Sequence, residues 1–228
     1  MSSINLMERA TEIRDSQLFE RRAKVDRMFA VLLAVQYVAG ILAAFVVSPY
    51  AWEGKERALH THVWVAILGG AGIVILPILL AMFRPGTAVT RHVIAASQML
   101  SSALLIHLTG GRIETHFHVF GSLAFLAFYL DWKVILTATT VIAADHFARG
   151  IFFPESVYGV ANPEWWRFLE HAGWVVFEDI FIVWACFLGL REIGQASQRQ
   201  AEVEQLSERE QLKTAALEMA LAEMQATA

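Results

Sequence analysis

HVWVAILGGAGIVILPILLAMF, residues 62–83, runs for 22 residues without an Asp, Glu, Lys or Arg. At 1.5 Å per residue a helix of that length reaches about 33 Å, enough for the roughly 30 Å hydrocarbon core of a bilayer. It has no polar face to turn toward water, so the stretch reads as a transmembrane helix.

The rest of the chain reads in the same way. Spans are expected at about Met28 to Ser48, His62 to Phe83, Ala88 to Thr109, Thr115 to Leu130, Lys133 to Phe153 and Trp166 to Leu190. The fourth is shorter and begins with polar residues. Ser48-Pro49, Arg84-Pro85-Gly86, Gly110-Gly111, Asp131-Trp132 and the loop from Pro154 to Pro163 separate them. The turn at Asp131 is tight, so the fourth and fifth spans should form a helical hairpin. The expected fold is an all-α bundle of six transmembrane helices.

Composition agrees. Of 228 residues, 56% are hydrophobic, and the mean hydropathy is +0.47, too apolar for an ordinary soluble domain. A formal net charge of −4 gives no reason to expect a nucleic-acid partner. The single cysteine, Cys186, excludes an intramolecular disulfide framework and a Cys-rich zinc motif. The charged opening residues are unlike a cleavable signal peptide, so the first span is expected to act as an uncleaved anchor.

Six spans put both termini on one side. Ten Lys and Arg residues fall in the N-terminal flank, the second and fourth loops and the start of the C-terminal segment, against five in the alternate loops. Positive charge stays inside, so cytoplasmic termini in a bacterial inner membrane are expected.

Three parts follow. Residues 1–27 form a cytoplasmic flank in which Leu6, Ala10 and Ile13 begin an apolar stripe, expected to lie on the inner leaflet or in solvent. Residues 28–191 are the membrane domain. Residues 192–228 read as a cytoplasmic helix. Its seam of Val203, Leu206, Leu217, Ala220 and Met224, interrupted by Glu210 and Lys213, is expected to pair two copies as a coiled coil.

The chemistry lies in the histidines. His60, His62, His107, His116, His118, His146 and His171 all fall at the outer ends of the spans, and only His92 lies inside. Asp145 and Glu170 accompany them, with Glu114 close to the pair at 116 and 118. Imidazole with carboxylate suits zinc, iron or manganese, and imidazole suits copper. His116, His118, His146 and His171 are the expected core ligands, with His60, His62, His107, Asp145 and Glu170 as further candidates. On a helix the two histidines of an H-x-H diverge, whereas in an extended segment they share a face. Haem b held by two axial histidines is the alternative cofactor. A single interfacial histidine is commonly only a hydrogen-bonding group. Glu178 and Asp179 lie mid-span, expensive in lipid, and are expected to face the bundle interior.

The run from Gly110 to Trp132, GGRIETHFHVFGSLAFLAFYLDW, resembles the N-terminal membrane sensor region of certain bacterial histidine kinases and diguanylate cyclases. ADHFARG at 144–150, SVYG at 156–159 and EHAGW at 170–174 add to the likeness, which covers about residues 28 to 192. It implies the input module of a signalling receptor without naming a stimulus. Kinase phosphoacceptor and cyclase motifs are absent, so a cytoplasmic output domain or partner is expected to carry the response, with no catalysis in this segment. A histidine-box metalloenzyme and a small ion or proton transporter are rival readings. The chain lacks the H-x-x-H-H spacing of the former, and a transporter would use Glu178 and Asp179.

Overall fold

The structure, a computed structural model, describes residues 3–227, with side chains for 6–52 and 54–226. Apart from one small hairpin, the described chain is helical. Its elements are α1 (Ser3–Val47), strands β1 (Tyr50–Glu53) and β2 (Glu56–Leu59), then α2 (Thr61–Trp64), which passes through a π-helical turn (Val65–Gly69) into α3 (Gly70–Phe83). There follow α4 (Ala88–Leu108), α5 (Ile113–Leu126) with a 3₁₀ turn (Ala127–Tyr129), α6 (Trp132–Phe152), the single turn α7 (Glu155–Tyr158) and α8 (Arg167–Thr227).

Among the described residues five helices are long and apolar enough to cross a membrane: Leu6–Val47, Thr61–Phe83, Ala88–Leu108, Trp132–Phe152 and Arg167–Ala226. Apolar side chains stand outward along them. On α1, Val31, Val35, Val38 and Leu42 are 66, 59, 55 and 60% exposed at helical spacing, as contact with lipid requires. The helix at the fourth expected span, α5, has only 14 residues and is not among the five.

The boundaries depart from expectation in three places. The N-terminal flank is not a separate helix. Residues 3–47 form one helix because no Gly or Pro interrupts them before Gly40. The expected C-terminal helix is likewise continuous with the last expected span, in α8. The segment after Pro49 pairs Tyr50 with Leu59 and Trp52 with Arg57 in an antiparallel hairpin, turning at Gly54 (φ +65°).

The described residues fall into two compact units, one made by Phe19–Phe187, the other by the residues up to Leu18 and from Leu188 onward. In the second unit Ala10, Ile13 and Ala201 are buried against one another beside Leu6. The N-terminal apolar stripe is therefore covered by α8, not laid on a lipid surface. Arg9 Nε donates to Glu204 (2.8 Å) and Gln17 faces Gln200 (3.1 Å).

In the larger unit α4 is central, in contact with α3, α5 and α6. Phe29, Ile94, Met99, Leu123, Tyr129 and Ile135 are buried in its core. Gly70 is required where α3 meets α1, since a Cβ there would stand 2.9 Å from the Tyr37 ring. Tyr37 also donates to the Ile67 carbonyl (3.0 Å), occupying an acceptor of the π-helical turn.

Asp131 ends the expected hairpin turn. Leu130 adopts φ +49°, after which Asp131 caps α6 through Lys133 N (3.2 Å) and accepts Arg91 Nε (2.8 Å). Nearby, Asp26 is fully buried and accepts Tyr129 Oη (2.7 Å) and the Gly86 N–H (2.6 Å). Phe29 stacks on the Tyr129 ring at 5.6 Å.

Candidate functional site

α5 begins at Ile113, so His116 and His118 are both helical and point about 200° apart. The first consequence is that the seven histidines expected at one face do not form one group.

His116 of α5, His146 of α6 and His171 of α8 come together. Their ring centroids are 5.3 Å (His116–His171), 5.5 Å (His116–His146) and 6.3 Å (His146–His171) apart. His116 and His146 are each only 6% exposed. His116 Nδ1 donates to the Arg112 carbonyl and His171 Nδ1 to the Arg167 carbonyl, both at 2.9 Å and both four residues back. A carbonyl can only accept, so each Nδ1 carries the proton and each Nε2 keeps its lone pair. That is how a metal-binding imidazole is normally held. His116 Nε2 is buried without a hydrogen-bond partner among the described residues. His146 Nδ1 lies 3.3 Å from Asp145 Oδ2.

Asp145 is gripped by Arg149, Nε to Oδ1 at 2.8 Å and Nη2 to Oδ2 at 2.5 Å. The same guanidinium donates to the Ala103 carbonyl (3.2 Å) and the Ser156 carbonyl (3.2 Å). It thus ties α6 to α4 and to the turn α7. A cleft of about 760 Å³ opens beside the cluster, bordered by His116, His171, Phe117, Tyr158, Arg167 and Glu170. The Tyr158 ring is 5.4 Å from that of His171. Burial pushes the Tyr158 phenol above its ordinary range, so it stays protonated near neutral pH.

A second group gathers at the start of α2 and the end of α4. The rings of His60 and His62 are 4.3 Å apart, and those of His62 and His107 are 4.9 Å apart. His60 caps α2 in an extended conformation, and its Nδ1 accepts the His62 N–H at 3.0 Å.

His118 belongs to neither group. Its Nε2 is 3.0 Å from the Gln36 amide nitrogen and its Nδ1 is 2.8 Å from Ser102 Oγ. Gln98 donates to Ser122 (2.9 Å) in the same buried file. Glu114 is exposed beside Arg112, 3.5 Å away, and Glu170 is exposed at the cleft. Asp179 accepts Thr139 Oγ1 (2.6 Å), while Glu178 Oε2 and Asp179 Oδ1 are buried without a partner among the described residues. Near the start of α4, His92 Nδ1 meets Thr137 Oγ1 at 2.8 Å.

Among the described residues, no three or more His, Cys, Asp or Glu side chains are already gathered into a set able to hold a metal ion. The sequence reading missed Gln36, Ser102, Asp26 and Tyr158. The i, i+4 pairs Gln98–Ser102 and His118–Ser122 were visible signals of a buried polar file.

Over 81 residues the chain is 33% identical to the transducer protein Htr8 of Halobacterium salinarum. The match covers 33% of this chain and 13% of that protein. No family model matches the chain, and no solved structure matches it.

Proposed function

We propose that this chain is the input module of a transmembrane signalling receptor, and that His116, His146 and His171 hold one transition-metal ion through which it senses. The signalling part rests on the likeness to a transducer and on the long apolar helices. The observation that carries the metal is the pair of imidazoles, His116 and His171, anchored through Nδ1 with Nε2 left available beside His146.

With metal–nitrogen bonds of about 2.0–2.1 Å, two imidazole centroids at a tetrahedral angle stand about 5.3 Å apart. Two of the three observed separations, 5.3 and 5.5 Å, are near that value. The third, 6.3 Å, must close by about 1 Å. Metal binding would therefore draw the first turns of α8 toward α6. Asp145, held by Arg149, stands 3.3 Å from His146 Nδ1, which makes no hydrogen bond among the described residues. His116 stands against both partner rings, leaving no plane for a macrocycle between His146 and His171, which favours a non-haem ion such as zinc, iron, manganese or copper.

Six spans with both termini in the cytoplasm fit this reading. The 14 residues of α5 and the three of its 3₁₀ turn reach about 27 Å, close to a bilayer core of roughly 30 Å. His171 and the seam at Val203, Leu206, Leu217 and Met224 lie on the one helix α8, and these seam residues are exposed. Two copies pair along the seam, and an output domain or partner takes the signal from there.

The test is the metal content of the detergent-purified protein by mass spectrometry, with its visible spectrum. A stoichiometric ion lost in His116→Ala and His146→Ala is expected. A Soret band would move the site to haem. A protein that neither holds nor takes up an ion would overturn the metal reading.

A further inference from the structure

The His60–His62–His107 group is chemically distinct from the first. Among the described residues no ring contact joins the two. His60 has its Nδ1 engaged by the His62 N–H, so its other nitrogen carries the proton and offers no lone pair. His62 and His107 are different. Both Nδ1 atoms are buried and neither has a hydrogen-bond partner among the described residues. Two such nitrogens side by side, at the edge of an apolar bundle, each lack a partner that burial makes valuable.

Their rings are 4.9 Å apart. Two imidazoles on one ion stand about 4.6 Å apart at a right angle and about 5.3 Å apart at a tetrahedral angle, so the observed spacing lies within the range of a shared ion. A third donor, Glu155 on the turn α7, borders the same open cleft of about 520 Å³ as His62 and His107. Among the described residues the three are not already gathered, so an ion would draw Glu155 in onto the two imidazoles. Glu155 is exposed and has no side-chain ion pair among the described residues. Two imidazoles and one carboxylate with an open fourth position is a recognised first-row metal set.

We propose that His62, His107 and Glu155 form a second transition-metal site, separate from the His116–His146–His171 cluster. His60, edge-on to His62 at 4.3 Å, acts as a positioning residue. Glu155 is exposed and His62 and His107 are half-buried, whereas His116 and His146 are buried, so this second ion exchanges faster than the first.

The two sites are tested together in the purified full chain in detergent, stripped with a chelator and titrated with Co²⁺, with Zn²⁺ as competitor. Two equivalents are expected, distinguished by their visible bands and by their exchange rates. The His62→Ala/His107→Ala variant should lose the fast equivalent and keep the slow one, which also shows that it is folded. Even outer partners of a metal are worth about 10–100-fold in affinity, so Glu155→Gln, which removes an exposed direct donor, should weaken the fast site by at least about tenfold. Unchanged fast binding in both variants overturns the proposal. A single equivalent lost only with His116 and His171 overturns it and leaves the sensor site standing. A single equivalent lost only with His62 and His107 upholds it and removes the sensor site. No bound ion overturns both.

Discussion

Replacing His116 and His118 one at a time separates a metal site from a polar scaffold, because the two residues differ only in which way α5 turns them. A structural zinc site is worth about 10–16 kcal/mol over four donors, hence about 3 kcal/mol per donor and about two orders of magnitude in Kd. His116→Ala is expected to weaken metal binding by about that factor. His118→Ala should leave the affinity unchanged, since both its ring nitrogens already serve Gln36 and Ser102. Stability should rank the other way. Losing His118 takes the ring partner from the half-buried Gln36 amide and from buried Ser102, whose hydroxyl keeps its bond to the Gln98 carbonyl, at about 1–3 kcal/mol in all. His116 has only one hydrogen bond, to the Arg112 carbonyl, and its Nε2 is already unpartnered. Removing it should therefore destabilise the metal-free protein less. The assays are competition titration with a chelator of known affinity and thermal unfolding of the stripped protein in detergent. If His118→Ala weakens metal binding as much as His116→Ala does, or if His116→Ala leaves it unchanged, the division of the histidines is wrong.

Three further substitutions probe the frame. Gly111 has φ +72°, and a Cβ there would collide with the Gly159 backbone nitrogen and stand 2.9 Å from the Glu155 carbonyl. Gly111→Ala should thus cost about 2–5 kcal/mol and expose the Pro154 to Pro163 loop to limited proteolysis. Asp26→Ala removes two hydrogen bonds to a buried carboxylate and should cost about 3–5 kcal/mol, against about 1.5–3 kcal/mol for Tyr129→Phe; in chemical unfolding the double variant should cost less than the sum. Glu210 and Lys213 pair with each other at 2.8 Å within the seam of α8. Replacing both with Leu adds apolar burial of about 1.5–3 kcal/mol per residue on pairing, so analytical ultracentrifugation should show a dimer at least about a hundredfold tighter; an unchanged dissociation constant would sink the coiled-coil reading.

The long apolar helices were legible because a bilayer demands long uncharged runs, as residues 62–83 supply; five of the six expected spans are helices long and apolar enough to cross one, and α5 is not. The ends of the expected helices fall close to the observed ones wherever a Pro or Gly enforces a stop, as at Pro85 and Gly110. They fail where nothing enforces one. Charge alone does not end a helix, so α1 runs through its basic flank and α8 runs on past Leu190. Where each histidine falls along its helix was legible from the breakers that bound the helices. The division of the histidines into two clusters was not, because the sequence leaves each helix's rotation about its own axis undetermined. One local fact would have settled the pair at 116 and 118, namely that α5 starts at Ile113.

Asp26 escaped notice for a related reason. Among Arg21, Arg22, Lys24 and Arg27 it looks like a solvated counter-ion, yet it is fully buried. Its neighbour three residues on, Phe29, is stacked on Tyr129, and that contact carries Asp26 into reach of the Tyr129 hydroxyl. The polar file of Gln36, Gln98, Ser102, His118 and Ser122 follows the same rule from inside the membrane domain. A polar side chain in an apolar helix has no water to turn to, so it must find another like it on a neighbouring helix. Where two successive helices each carry polar residues at i, i+4, as at Gln98 with Ser102 and His118 with Ser122, those two faces have a reason to meet. His118 was spent on that meeting, and the remaining histidine of its H-x-H, on the far side of the same helix, is the one left to meet His146 and His171.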